Sequence, residues 1–350
     1  MQGPEYEIPV EIPGIKYYQY TASFPLELGG ALEGVTIAYH TYGELNPSGD
    51  NVIWVCHALT ANSHVADWWS GLFGEGKLFD PSKYFIVCSN ILGSCYGSTG
   101  PRSMNPATGQ AYGMDWPLVT IRDWVKAQNL LRAYLGIHSI ALCIGGSCGG
   151  HQVLEFSLLI PDKIKRLGLL VTSSRETAWV IASHEAQRLA MEADPTLFEN
   201  ENHSGAAGMK AARGTALLGY RTLESYVQSQ TDDEDIVADQ KASTYIRHQG
   251  QKLVNRFYAH CYYHLTKSLD THHVGRGRGP IEQVLHTIEA PVTLVGIDSD
   301  RLIPVSEQQF LAAYLPNVDF YIIPSLYGHD GFLIEADQIL EVFRDFEKED

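Results

Sequence analysis

A serine set among glycines, followed downstream by an aspartate and then a histidine that each trail an apolar run, is a set of side chains capable of nucleophilic catalysis. The serine is Ser147, in Gly145-Gly146-Ser147-Cys148-Gly149, which fits the G-x-S-x-G pattern of a strained strand-to-helix corner. A serine hydroxyl is a poor nucleophile until a base takes its proton, and that base must be oriented by a third group. His329, flanked by glycines in Tyr327-Gly328-His329-Asp330-Gly331, is the candidate base. Asp298 and Asp300 compete for the acid, and spacing alone does not choose between them. The oxyanion that forms when such a serine attacks a carbonyl needs two N–H donors. The amide of Cys148 at the helix start supplies one, and Leu59 is placed for the second. Cys148 thus acts through its backbone; a reactive thiol, favoured by a helix N-terminus, is the lesser reading.

These side chains need a frame that brings them together. The runs Asn51 to Cys56, Tyr84 to Cys88, Ser139 to Ile144, Arg166 to Val171, Pro291 to Ile297 and Val318 to Pro324 read as strands, most of them continuously apolar as in a buried sheet. A helix from about Ile121 to Leu135 presents one apolar face, a helix-compatible run leaves the elbow from His151 to Leu159, and a last helix spans Ala336 to Phe346. Strands alternating with helices imply a mainly parallel sheet with right-handed crossovers, and ligands of such sheets bind at the strands' carboxyl ends. Residues Tyr17 to Tyr42 read as antiparallel strands at one edge. From about residue 175 to Gly275 helical spacing dominates, as in Ala178 to Met191 and Gly208 to Tyr220. The organisation is therefore an α/β core in two parts, 1–174 and 276–350, interrupted by a helical lid over 175–275. The acidic run Asp232 to Asp235 reads as a solvated loop.

The chain has 350 residues, 25 Lys+Arg against 41 Asp+Glu, and a net charge of −16, which argues against nucleic acid or an anionic membrane as main partner. No apolar run approaches the ~18 residues of a membrane span. The N-terminus, Met1 to Glu7, is acidic and proline-interrupted and has no leader character. The six cysteines form no C-x-x-C pair and fall mostly in strand-like runs, so they read as buried reduced thiols of a cytoplasmic protein with no metal site.

Longer motifs then point to a family. DNVIWVCHALTANSH from Asp50, NILGSCYGSTGPRSMNPATG from Asn90, TIRDWVKAQ from Thr120, GGSCGG, HEAQRLAMEADP from His184, VGRGRG from Val274, GIDSDRLIP from Gly296 and YGHDGFL from Tyr327 occur in an order that resembles the homoserine O-acetyltransferases. The resemblance implies the α/β-hydrolase fold and a Ser147–His329–Asp300 triad, so it selects Asp300 over Asp298. It implies a double-displacement transfer from acetyl-CoA, a co-substrate and not a bound cofactor, to L-homoserine, a step of methionine biosynthesis. It implies that Arg213 and Tyr220 hold the amino acid, Asp330 receives its ammonium, and a homodimer forms through the lid helices. Seven residues apart on one helix, Arg213 and Tyr220 share a face roughly 10 Å apart along the axis.

The chain departs from the family's usual pattern at Cys148 and His151 beside the nucleophile, at Ala61-Asn62 and at Ser94. Residues around the elbow shape the acyl pocket, so a succinyl donor, another acceptor such as serine, or plain ester hydrolysis are the alternatives. Gly275-Arg276-Gly277-Arg278-Gly279 reads first as the return from the insertion with its charges in ion pairs; a coenzyme A phosphate site is the second reading.

Overall fold

A computed structural model of the chain describes residues 12–344 and residue 346. Eight strands form one sheet: β1 (Lys16–Pro25), β2 (Ala31–Tyr42), β3 (Val52–Cys56), β4 (Phe85–Ser89), β5 (Leu142–Gly146), β6 (Leu167–Leu170), β7 (Val292–Ile297) and β8 (Val318–Ile323). Their order across the sheet is β1-β2-β4-β3-β5-β6-β7-β8. The β1–β2 and β2–β4 pairs are antiparallel and all later pairs are parallel. The expected antiparallel edge and parallel centre are both present.

Central strands read as unbroken apolar runs because both faces of the sheet are covered. Along β3 the side chains alternate between two cores: Val52, Trp54 and Cys56 pack on one side with Trp124 and Phe156, Ile53 and Val55 on the other with Trp69 and Phe79. Helix α1 (Ile121–Tyr134) supplies Trp124 and starts at a capping box, in which Thr120 and Asp123 satisfy each other's backbone N–H groups. Helix α2 (Cys148–Leu159) supplies Phe156. It starts directly after Ser147, three residues before the helical run read from the sequence.

Parallel register brings the functional loops to one edge. Cys56 pairs with Gly145, Gly146 with Leu170, and Ile297 with Ile323, so the segments that follow β3, β5, β6, β7 and β8 all emerge together. Between β6 and β7 lie α3 (Ala178–Glu192), α4 (Ala206–Tyr220), α5 (Leu223–Gln230), α6 (Lys241–Val254) and α7 (Ala259–Leu269), with α4 packed against both α3 and α6. Two further helices, α8 (Val305–Tyr314) and α9 (Ala336–Val342), follow β7 and β8. The last helix therefore stops short of Phe346, where the sequence reading placed its end. The acidic N-terminal segment Met1 to Glu7 lies outside the described residues. Among the described residues no helix is long and apolar enough to cross a membrane, and no cluster of His, Cys, Asp and Glu is arranged to hold a metal ion.

Candidate active site

The elbow is built by close backbone approach. Ser147 has φ 57° and ψ −126°, a region that side-chain-bearing residues rarely occupy, and it is the one partly exposed residue in a buried run from Leu142 to Gly150. The turn is possible because the strand and helix glycines lie against β3: a Cβ on Gly149 would stand 2.2 Å from the Cys56 carbonyl oxygen, and one on Gly145 would stand 2.5 Å from the Gly149 backbone. The chain thus holds the hydroxyl at the tip of the sheet by removing every side chain that would push strand and helix apart.

Two other loops reach Ser147. The His329 Nε2 lies 2.8 Å from Ser147 Oγ, and its Nδ1 lies 2.7 Å from Asp300 Oδ2. The Asp300 side chain is itself fixed, because Oδ1 accepts the backbone N–H groups of Leu302 and Ile303 at 2.8 and 3.0 Å. Asp298 is exposed and accepts instead from the Ser325 N–H. Burial disfavours a charged imidazole, but the charge and hydrogen bond of Asp300, with Asp330 adding to them, outweigh it and hold the His329 pKa above the ordinary histidine value. The three groups form one continuous relay: an oriented base facing a hydroxyl can take its proton, and the imidazolium so formed is stabilised by the buried carboxylate.

Cys148 and Leu59 line the same cavity as Ser147. The Cys148 amide opens α2, while its thiol points back at the His57 carbonyl 3.9 Å away and is pushed far above the usual thiol range by burial. That environment gives the sulfur no nucleophilic character. The loop carrying Leu59 is anchored from three directions that sequence reasoning did not identify. Gln152 of α2 donates to the His57 carbonyl at 3.1 Å, the His57 ring accepts the Ile91 N–H at 3.2 Å, and Arg256, between α6 and α7, donates to the Thr60 carbonyl and to Tyr96 Oη, each at 2.6 Å. Burial lowers the His57 pKa to about 4, so this ring is neutral and serves as an acceptor.

The cavity measures about 610 Å³ and also receives Arg213, Tyr220 and Asp330. Both α4 residues converge: the Arg213 guanidinium carbon lies 5.4 Å from the Tyr220 ring centroid, and that ring lies 6.0 Å from the His329 ring. Among the described residues Arg213 is in no ion pair. Asp330 is different, because Arg221 Nε donates to its Oδ2 at 2.7 Å, leaving Oδ1 as the oxygen open to another cation. Arg221 was not singled out in the sequence, although it adjoins Tyr220.

The Gly275–Gly279 segment falls elsewhere. Arg276 pairs with Glu27 at 2.9 Å and Arg278 with Glu155 at 2.7 Å, and Arg122 bridges both glutamates. Neither Arg276 nor Arg278 lines the cavity. This network ties the return from the insertion to α1 and α2, in line with the ion-pair reading and against a coenzyme A phosphate site.

Sheet order, elbow and relay define an α/β hydrolase, a class that transfers or hydrolyses acyl groups through a serine. The family model for the alpha/beta hydrolase fold matches residues 51–336. The homoserine O-acetyltransferase of Chlorobium luteolum is 45% identical over 337 residues, covering 95% of this chain and 94% of its own. The chain belongs to the homoserine O-acetyltransferase family. Its fold is shared with the solved homoserine O-acetyltransferase from Bacillus anthracis, at 23% identity, TM-score 0.88 and coverage of 96% and 98%. It is shared also with an acetylester hydrolase from Corynebacterium glutamicum, at 22% identity, TM-score 0.83 and coverage of 95% and 96%. The fold thus leaves open whether water or an alcohol receives the acyl group.

Proposed function

We propose that the protein acetylates the hydroxyl of L-homoserine with acetyl-CoA by double displacement, a reaction of methionine biosynthesis. In the first half, His329 Nε2 takes the Ser147 proton as Oγ attacks the thioester carbonyl. The N–H groups of Leu59 and Cys148 hold the oxyanion, and the imidazolium returns the proton to the departing CoA sulfur. In the second half, the homoserine hydroxyl gives its proton to the same Nε2 and attacks the acyl-serine. Breakdown of the second tetrahedral species releases O-acetylhomoserine and restores the Ser147 hydroxyl.

The observation that carries this reading is Arg213, in no ion pair among the described residues, in the cavity that the relay opens into. A carboxylate acceptor supplies the charge-assisted partner that Arg213 lacks, with the Tyr220 hydroxyl beside it. Asp330, half committed to Arg221, takes the ammonium through Oδ1. A hydrolase has no need for such a pair. The lid over 175–275 keeps water from the acyl-enzyme, which transfer requires. The six free and buried cysteines agree with a cytoplasmic location. Trp179, Leu218, Leu223 and Val227, exposed on lid helices, would be covered in a homodimer; sedimentation at micromolar concentration checks it.

Acetyl-CoA turnover with and without homoserine tests the reaction. CoA release stimulated strongly by homoserine, with O-acetylhomoserine in the mass spectrum and both lost in Ser147→Ala, is the expected result. Release at the same rate without acceptor would make the protein an esterase, and unchanged turnover in Ser147→Ala would refute the mechanism.

A further inference from the structure

Behind the nucleophile lies a buried polar pair that the mechanism does not use. His151, one turn into α2 from Ser147, stacks on His272 with ring centroids 3.9 Å apart, and its Nε2 meets Ser173 Oγ at 3.3 Å. Its Nδ1 stands 3.7 Å from Glu176 Oε1, and the two side chains are 1% and 3% exposed. Among the described residues neither His151 Nδ1 nor Glu176 Oε2 has a hydrogen-bond partner. Glu176 nevertheless lines the catalytic cavity, together with Cys148, Val180 and Leu269. Its charge acts on the Cys148 thiol, one residue from the nucleophile.

Among the described residues no lysine or arginine pairs with it. His184 is bonded to Asp270 at 2.6 Å, Arg256 to Thr60 and Tyr96, and Arg213 sits over Tyr220. Burial, reinforced by His272, drives the His151 pKa well below the ordinary value, so the neighbouring ring is neutral. Once Glu176 is ionised, a second carboxylate brought beside Ser147 would be desolvated against it, while the cavity's Arg213 is held over the Tyr220 ring. Chain length alone does not decide admission under these conditions; terminal charge does. We propose that Glu176 is a specificity residue that admits neutral acyl chains to Ser147 and rejects acyl chains ending in a carboxylate. This rests on the acyl-transfer reading above.

Butyryl-CoA and succinyl-CoA carry acyl groups of equal carbon count that differ in terminal charge, so their ratio isolates the effect from size. Acyl-enzyme formation is followed without acceptor by rapid mixing and intact mass, with acetyl-CoA as the reference donor. At pH 9, where Glu176 is mostly ionised, the wild type should favour butyryl over succinyl by about tenfold, and Glu176→Gln should bring that ratio to within about threefold of unity. A ratio in Glu176→Gln within about twofold of wild type overturns the proposal.

The wild type gives a second readout that no substitution can spoil. Burial, then Asp270, with Glu307 adding, raise the Glu176 pKa to about 8 against the Thr177 N–H that lowers it; burial keeps the His151 and His272 rings beside it neutral, and His184 and Arg188 are bonded to Asp270. The discrimination against succinyl should therefore grow from pH 7 to pH 9 as Glu176 ionises. Titration of His329 cancels, since both donors need the same base. A flat ratio across that interval overturns the proposal. Failure of all three thioesters to acylate Ser147 would overturn the transferase reading along with it, whereas acylation by all three with an unchanged ratio sinks the role of Glu176 alone.

Discussion

Replacing Asp300 by Asn should disable the base without disturbing substrate binding. Asp300 Oδ1 accepts two backbone N–H groups, from Leu302 and Ile303, so the amide oxygen of the asparagine must occupy that place. Its NH2 then faces His329 Nδ1, where Oδ2 accepted before. A donor at that position forces Nδ1 to accept, which moves the imidazole proton to Nε2, the atom 2.8 Å from Ser147 Oγ. A protonated Nε2 cannot take the serine proton. The same replacement in a serine protease triad costs about 10⁴ in kcat, and ~10⁴ corresponds to about 5 kcal/mol of activation free energy. Asp300 is buried and does not line the cavity, so KM for homoserine should stay within about threefold. Thiol release from acetyl-CoA measures both constants, and circular dichroism verifies the fold. The pH profile adds a check with a definite sign. Activity requires neutral imidazole, and Asp300 holds its pKa above the ordinary value, so the wild type loses activity as pH falls through that raised pKa. Without the carboxylate, burial remains as the main influence, and the acid limb should move to lower pH. A loss below tenfold, or an unmoved acid limb, would refute the orientation argument.

Arg213→Ala should raise KM for homoserine by about 10- to 100-fold, the worth of one charge-assisted contact, and leave KM for acetyl-CoA within about twofold; equal effects would mean that the acceptor sits elsewhere. Gly149→Ala should destabilise the protein by at least ~3 kcal/mol in urea melts, since its Cβ would lie 2.2 Å from the Cys56 carbonyl oxygen; an unchanged midpoint would show that the elbow has slack. Glu176→Gln should stabilise the fold at alkaline pH. The folded-state pKa of Glu176 is raised from 4.5 to about 8, so the stability it contributes in its protonated form is full below 4.5 and is lost as pH rises to 8. The unfolding free energy of Glu176→Gln in urea melts should therefore exceed the wild type's at pH 8, by an amount on the order of 1–3 kcal/mol, and the gap should shrink at pH 5; a constant gap would contradict the raised pKa.

Strands, elbow and chain order of the triad were legible because each has a local signature: continuous apolar runs for two-sided burial, glycines where a backbone crosses another, and a polar loop after each strand. The choice between Asp298 and Asp300 was not local. It depends on Asp300 being drawn inward by the Leu302 and Ile303 amides, which spacing does not encode, and only the family resemblance made it. Arg221 was passed over because a charged residue after a helix looks solvated until its partner, Asp330, 109 residues away, is known. His151 was visible as an unusual neighbour of the nucleophile. Glu176 was not, because its interest lies in partners that are missing.

Arg256 belongs to the inserted segment, yet the group it grips, Thr60, is next to Leu59, whose amide we propose as an oxyanion donor. Lid and core are therefore not interchangeable modules: the insertion works as a keystone for the catalytic loop as well as a roof over it. A chimaera that takes another relative's helices to change acceptor must bring an equivalent arginine, or it will alter the rate of acyl chemistry that never touches the acceptor.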